Sequence, residues 1–310
     1  MENTRAKTTR NSLILLLTAA IWGMAFVSQS KGMDYMHPFT FNGVRSLIGA
    51  ASILVYILIS RKIAGDKAAK LDWKLNVKAG LLCGIFLTIA STLQQFGIKY
   101  TSVGKAGFIT TLYIIFVPIF GIFLRKKVAP VVWAAAVMAA VGMYLLCMTE
   151  SLRLGAGDIM VFLCAIAFAI QIMTVDHYAA RIDGAVVSCI QFTVCGVACC
   201  VGALIWGQPT FGQLQEGMGA LLYAGVLSCG VGYTLQIVGQ KGLNPTVAAL
   251  IMSLESVIAT ISGWIAYKIG FLTTDQTLTG RQIMGCVIVF AAVILVQLPP
   301  EWFRFGKKNA

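Results

Sequence analysis

The chain has 310 residues, of which 58% are hydrophobic and only 12% are charged, and its formal net charge is +12. An ordinary soluble domain carries charge on roughly a quarter of its residues, so this composition excludes a water-soluble globule. The basic residues stand in short clusters between apolar runs rather than along one face, so we expect no nucleic-acid partner.

Ten apolar runs are long enough to cross a bilayer, since a spanning helix needs about 20 apolar residues. They are far longer than barrel strands and lack period-two alternation, which predicts helices. The first run resembles a signal peptide but continues without a clear cleavage site, so we expect it to stay as a helix. The predicted spans are residues 12–30, 38–60, 76–97, 103–124, 130–148, 157–176, 185–206, 217–239, 246–267 and 281–298.

Basic residues are distributed unevenly over the predicted loops. With the N-terminus placed inside, the inner segments hold 17 Lys and Arg residues and the outer segments hold 6, while Arg45 lies within a span. Positive residues favour the cytoplasmic side of a membrane. The sequence therefore predicts a multi-pass membrane protein with both termini in the cytoplasm.

An internal repeat relates the two halves of the chain. Gln94, Ile109 and Leu112 recur as Gln236, Ile251 and Leu254, each 142 positions later. Five predicted spans fall in each half, and an odd number forces the halves into opposite orientations, as in many secondary transporters. We expect a first repeat at 11–149, a second at 156–298 and a cytoplasmic tail at 299–310, with the substrate path between the halves.

Short motifs along the chain carry a family resemblance. They are Ala-Ile-Trp-Gly at 20–23 with Phe26, Pro38 with Arg45, Tyr-Thr-Ser-Val-Gly at 100–104, Pro118, Gly157-Asp158, Gln240-Lys241, Pro245, and Ser-Leu-Glu at 253–255. From about residue 11 to 298 the chain resembles the EamA-type permeases of the drug/metabolite transporter superfamily. It departs from their pattern at Gln276, where the family usually has Glu, and in a longer last outer loop.

The resemblance implies an all-α integral membrane protein of ten transmembrane helices in two inverted EamA-like repeats. It also implies a secondary active transporter that exports small metabolites or amphipathic and zwitterionic solutes, such as amino acids, by alternating access. The resemblance further implies a location in the inner (plasma) membrane. The expected partners are a small-molecule substrate and the lipid bilayer, and monomer and homodimer both stay open.

Glu255 is the only acidic residue in the middle of a predicted span. Ionisable groups are rarely tolerated at that depth, so this carboxyl is a candidate for proton coupling. The alternative is a neutral Glu that donates a hydrogen bond between helices. Both interpretations stay open at this point.

Arg45 is the only basic residue well inside a span, and its repeat counterpart is Gln191. A buried guanidinium needs an acceptor. It could bind an anionic group of a substrate, pair with Glu255, or cap carbonyls near Pro38.

Polar and aromatic side chains at helical spacing form a third group of candidates. Such stripes can line a substrate cavity or hydrogen-bond neighbouring helices. Together with Arg45, the candidate cavity residues are Trp22, Gln95, Tyr233, Gln236 and Gln240.

Neither a metal nor a cofactor is expected. Only His37 and His177 are present, the nine cysteines form no Cys-x-x-Cys pair, and no Gly-x-x-x-x-Gly-Lys-Ser/Thr loop for ATP occurs. A membrane-embedded lipid-modifying enzyme would need paired carboxylates or a His cluster, so we expect no enzyme. That class and a passive channel remain the competing hypotheses.

Overall fold

The structure is a computed structural model that describes residues 2–65, 71–101, 103–124, 128–147, 155–272 and 277–297. These residues form α-helices joined by short turns, with two π-helical segments at Ala203–Gly207 and Tyr223–Gly232. The predicted tail at 299–310 and the repeat ends at 149 and 298 lie outside the described residues. The helices are α1 Glu2–Gly32, α2 Pro38–Ala64, α3 Trp73–Tyr100, α4 Val103–Thr111, α5 Tyr113–Phe123, α6 Pro130–Cys147, α7 Ala156–Tyr178, α8 Gly184–Gly202, α9 Phe211–Glu216, α10 Met218–Leu222, α11 Tyr233–Gln240, α12 Pro245–Met252, α13 Leu254–Lys268 and α14 Gly280–Gln297.

Eight helical stretches in the described ranges are long and apolar enough to cross a membrane. They coincide with eight of the predicted spans. The fifth and tenth predicted spans correspond to α6 and α14, whose apolar parts, Pro130–Leu145 and Gly280–Leu295, are shorter. The all-helical prediction is therefore confirmed for the described residues, and eight of the ten runs reach spanning length.

Capping side chains explain where several helices begin. Asp72 accepts the N–H of Leu75 at the start of α3, and Asp183 accepts the N–H groups of two residues in the first turn of α8. Asn244 caps α12, whose first residue is Pro245. A side-chain acceptor at the N-cap satisfies backbone donors that have no partner within the helix. The sequence thus fixes these helix starts locally.

Two of the predicted spans, 103–124 and 246–267, are interrupted in the structure. The first breaks at Leu112 between α4 and α5, and the second at Ser253 between α12 and α13. At both breaks a backbone hydrogen bond joins residues three apart instead of four. These bonds run from the N–H of Ile115 to Leu112 O and from the N–H of Ser256 to Ser253 O. Ser253 Oγ also donates to Leu250 O at 2.7 Å. Hydroxyls that bond to helix carbonyls are a known cause of such kinks.

Glycines bring α2 and the π-helical segment Tyr223–Gly232 close together. A Cβ on Gly49 would lie 2.6 Å from Cys229 Cβ, and a Cβ on Gly225 would lie 2.9 Å from Arg45 O. Only glycine allows two helix backbones to approach this closely. This contact, together with the packing of α1 against α13 and α11 and of α3 against α7 and α8, encloses the centre of the bundle.

Candidate functional site

A polar cavity lies at the centre of the bundle. Its walls come from α1, α2, α3, α4 and α5 on one side and from α7, α8, the π-helical segment, α11 and α13 on the other. The empty space between its walls measures about 600 Å³, part of which is open to the outside. The centre of a water molecule can occupy only about 40 Å³ of that space. The cavity therefore holds a few water molecules in this conformation, and a larger solute requires its walls to move apart.

Glu255 and Tyr113 meet at one wall of the cavity. Tyr113 Oη donates a hydrogen bond to Glu255 Oε1 at 3.1 Å, and the side chains are 3% and 4% exposed, respectively. Each residue stands at the start of the helix that follows a break, α5 for Tyr113 and α13 for Glu255. The two helix breaks thus aim a phenol and a carboxyl at each other beside the cavity.

Arg45 lies in the cavity wall formed by α2 and is 6% exposed. Its guanidinium carbon is 5.4 Å from the centre of the Phe41 ring, which gives the cation a favourable aromatic contact. Its Nε has no hydrogen-bond partner, and no carboxylate of the described residues forms an ion pair with it. Two of the options left open by the sequence, pairing with Glu255 and capping carbonyls near Pro38, therefore have no support in the hydrogen bonds of this structure.

An aromatic group forms another part of the wall. The ring centres of Trp22 and Tyr233 are 4.5 Å apart, and Phe192 meets Tyr233 edge to face at 5.0 Å. Trp22 packs over Gly232, where a Cβ would lie 2.7 Å from Trp22 Nε1. That indole nitrogen is buried without a hydrogen-bond partner. The group offers an apolar surface together with one free donor.

Glutamine side chains from three helices form a chain of hydrogen bonds. Gln236 Nε2 donates to Gln171 Oε1 at 3.2 Å, and Gln171 Nε2 donates to Gln191 Oε1 at 3.5 Å. Gln236 Oε1 and Gln191 Nε2, at the two ends, are buried without partners. A buried polar atom without a partner costs free energy, so these ends favour a ligand or water that satisfies them.

Five of the seven predicted site residues line this cavity: Trp22, Arg45, Tyr233, Gln236 and Glu255. Their role in binding or coupling stays a prediction.

Gln95 and Gln240 do not line this cavity, so the structure does not bring them together with the other five predicted residues. Gln95 points toward α1, where its Nε2 donates to Gln29 O at 3.3 Å. Gln240 is the last residue of α11, one turn beyond Gln236, and its amide is buried without a partner. The phase of α3 explains the position of Gln95, because Leu87, Ser91 and Gln94 are the α3 residues that face the cavity.

Fifteen of the twenty residues that line the cavity were not among the predicted site residues, and they include Tyr113, Gln94 and Gln171. The repeat contained a signal for the first two. Gln94 is the counterpart of Gln236, and Tyr113 precedes Glu255 by the same 142 positions. Gln171 carries no comparable signal, because an isolated amide in an apolar run reads equally well as a contact between helices.

No cluster of three or more potential metal ligands occurs among the residues that the structure describes. The side chains of the cavity offer one cation, one carboxyl, several amides and an aromatic surface. This set suits reversible binding of a small solute that has both polar and apolar parts.

Known proteins are similar to nearly the whole of this chain. An uncharacterized transporter from Archaeoglobus fulgidus is 28% identical over 285 residues, which cover 92% of this chain and 84% of the relative. The uncharacterized transporter YwfM from Bacillus subtilis is 26% identical over 287 residues, covering 91% and 94%. A crystal structure described only as that of a protein superposes with a TM-score of 0.74 at 16% identity, over 96% of this chain and 99% of that one, and this likeness shows the fold.

The family comparison covers nearly the whole chain. The EamA-like transporter family matches twice, over residues 10–148 and again over residues 155–298. The family and the names of the relatives indicate a membrane transporter rather than an enzyme. The chain belongs to the EamA-like transporter family.

Proposed function

We propose that this protein is a secondary active transporter that exports small zwitterionic or amphipathic solutes, such as amino acids, by alternating access at the central cavity. One observation carries the proposal: a buried cation and a buried carboxyl line the same cavity. Among the described residues, no ion pair joins the two. Arg45 is suited to a carboxylate of the solute, and Glu255 to an ammonium group or a proton.

The proposed architecture is ten spanning helices in two inverted five-helix repeats, at 11–149 and 156–298. Two observations support it. The family matches once in each half, and the helix breaks before Tyr113 and before Leu254 fall at corresponding positions of the repeat. Interrupted helices in corresponding positions of two halves are typical of binding sites in inverted-repeat transporters.

The proposed orientation places both termini and residues 61–78 in the cytoplasm of a cell whose plasma membrane holds the protein. A single cysteine at position 62, on a cysteine-free background, should be protected from an impermeant maleimide added to intact cells. A cysteine at position 34 should be labelled under the same conditions. Labelling at 62 and protection at 34 would show that the protein has the opposite orientation in the membrane.

A binding screen tests the proposal for the substrate class. The purified full chain in neutral detergent is heated with each of the twenty amino acids, and a raised thermal midpoint reports binding, because a ligand that binds only the folded state stabilises it. Each stabilising amino acid is then tested for counterflow in proteoliposomes. We expect at least one apolar or aromatic amino acid to bind and to exchange. Binding without exchange, or no response to the whole set, would contradict the proposal.

The same vesicles distinguish a transporter from a passive channel. Counterflow requires that unlabelled solute inside accelerates uptake of labelled solute, which an alternating carrier does and an open pore does not. We expect this acceleration for every amino acid that stabilises the protein. Uptake that is indifferent to the internal solute would favour a channel instead.

A further inference from the structure

A second cavity lies at the end of the bundle where α2 and α11 end and where α3 and α8 begin. The space that a water centre can occupy there is about 600 Å³, far more than in the central cavity. On α11, it is lined by Thr234 and Val238, whereas the central cavity takes Tyr233 and Gln236 from a different face of the same helix. The end cavity is therefore a separate feature of the molecule.

Three cations from three different elements line the end cavity. Arg61 comes from the last turn of α2, Arg181 from the turn between α7 and α8, and Lys241 directly follows α11. Lys241 Nζ donates to Ile182 O at 3.2 Å, which fixes this cation to the turn that carries Arg181. In the described part of the chain, neither arginine side chain forms an ion pair.

Two carboxylates, of Asp72 and Asp183, share the wall, but both cap helices. Asp72 Oδ1 accepts the N–H of Leu75 at 3.0 Å, and Asp183 Oδ1 accepts those of Ala185 and Val186 at 2.9 and 3.1 Å. The positive ends of α3 and α8 offset these two negative charges. The three cations therefore make the electrostatic potential in the cavity positive, which favours an anion.

A buried amide side chain holds two parts of the cavity wall together. Asn76, which is 1% exposed, accepts the N–H of Asp183 at 2.9 Å and donates to Asp72 O at 2.8 Å. One amide thus joins the start of α3 to the turn before α8. A shape that is fixed before binding reduces the entropy lost when a ligand binds.

Part of the remaining wall is apolar and extends to the outer surface of α2. Ile57 and Val238 line the cavity, and so does Tyr56, which is 60% exposed. Neighbouring residues of α2, such as Leu54 and Ile59, are also exposed on this apolar helix, as a lipid-facing surface requires. The end cavity combines a cationic part with an apolar side opening.

We propose that the end cavity binds a phosphate group, supplied either by the headgroup of an anionic phospholipid or by a soluble phosphate compound. Basic pockets between membrane helices are suited to lipid headgroups. The two arginines can each hold phosphate oxygens with paired N–H donors, and the apolar side accommodates an acyl chain. This inference rests on the end cavity alone and is independent of the solute carried by the central one.

The test uses the purified full chain in neutral detergent and in nanodiscs. Binding of phosphatidylglycerol is measured by native mass spectrometry against phosphatidylcholine, and the thermal midpoint is measured with inorganic phosphate against chloride at equal ionic strength. Arg61→Ala and Arg181→Ala remove single cations from the wall. Lys62→Ala is the matched control, because Lys62 is the next residue on the same helix end but does not line the cavity.

We expect each arginine variant to bind phosphatidylglycerol about fivefold more weakly and the Lys62 variant to bind as the wild type does, since one cation near a membrane surface contributes about 1 kcal/mol. Stabilisation by inorganic phosphate with the same dependence on both arginines would assign the site to a soluble phosphate compound. Equal losses in all three variants, or no preference for either phosphate source, would overturn the proposal. If an alanine variant fails to fold, Arg61→Lys and Arg181→Lys retain the charge but lose the paired N–H donors, so they should retain part of the binding. A lysine variant that folds but binds no phosphate source would also contradict the proposal.

Discussion

The two matched halves of the chain, 10–148 and 155–298, contribute different charges to the same cavity. The first half supplies Arg45, which we expect to correspond to the neutral Gln191 in the second half, because each stands seven residues after the first residue of its helix, α2 or α8. The second half supplies Glu255, whose counterpart in the first half is Tyr113, and these two residues share a hydrogen bond of 3.1 Å. In the proposed repeat architecture, corresponding helices retain one backbone plan while their side chains diverge. The difference between the halves gives the cavity one basic and one acidic side chain.

Removal of the cation tests the first half's contribution and should have the largest effect. Arg45→Gln gives the first half the same residue type as Gln191 and should weaken binding of an amino acid about tenfold to a hundredfold, since a hydrogen bond to a charged group contributes about 1.5–3 kcal/mol. Arg45→Lys should retain part of the affinity.

The measurement compares each amino acid that binds with the amine produced by removing its carboxylate. Wild-type protein should prefer the amino acid, and the Arg45→Gln variant should bind both equally weakly. An unchanged preference in a folded variant would show that Arg45 does not contact the carboxylate.

The contact between the two halves is tested by Tyr113→Phe. This change removes the only hydrogen-bond donor to Glu255 Oε1 among the described residues and should lower the free energy of unfolding by about 1.5–3 kcal/mol when the carboxyl is charged. The loss should shrink when Glu255→Gln is already present, because a neutral acceptor gains less from the phenol. Thermal unfolding of the four proteins in this cycle gives the coupling directly. Additive losses would show that the pair is not coupled.

Two glycines test how α13 is held on its two sides. A Cβ on Gly23 of α1 would lie 2.6 Å from Ile258 Cβ and 2.7 Å from Glu255 O, whereas a Cβ on Gly107 of α4 would approach only Ser256 Cα, at 4.0 Å. Gly23→Ala should lower the free energy of unfolding by at least about 1 kcal/mol through overpacking. Gly107→Ala should be neutral or stabilise by up to about 1 kcal/mol, since alanine favours a helix. Equal effects in thermal unfolding would contradict the close contact of α1 with α13.

The smallest effect concerns the amides. Gln236→Ala removes a group of the cavity wall, so it should change solute affinity about fivefold, the equivalent of one neutral hydrogen bond of about 1 kcal/mol. Gln95→Ala removes a contact to α1 and should lower the thermal midpoint while affinity is unchanged. The solute affinities of the two variants, measured as in the binding screen, test both expectations. A larger change in affinity for Gln95→Ala would return that residue to the site.

Hydropathy predicts the helices of this fold because lipid-exposed spans need long apolar runs whose backbone bonds close within the helix. The starts of α2 and α12 also follow from local signals, namely His37 with Pro38 and Asn244 with Pro245. The break at Ser253 does not follow, because serine occurs in unbroken helices too and its hydroxyl acts only once neighbouring helices hold the bend.

Only part of the candidate site could be predicted from the sequence, and the cause is again that packing is not visible in it. Arg45 and Glu255 stand out because charge inside a span is costly, whatever the packing. On α3, two faces carry polar residues, one with Gln94 and one with Gln95, and only packing against α1 decides which one faces the cavity. Periodicity identifies a face, but it does not identify the neighbour of that face.

We propose that Glu255 couples solute movement to protons at the central cavity, and a measurement of proton flux tests this role most directly. Proteoliposomes containing a trapped pH-sensitive dye receive an amino acid that binds in the screen, at zero membrane potential. We expect wild-type protein and the control Glu216→Gln, which alters an exposed carboxyl on α9, to move protons when the solute is added. Glu255→Gln should still exchange the solute but move no protons. Solute-driven proton flux that persists in Glu255→Gln would contradict the account.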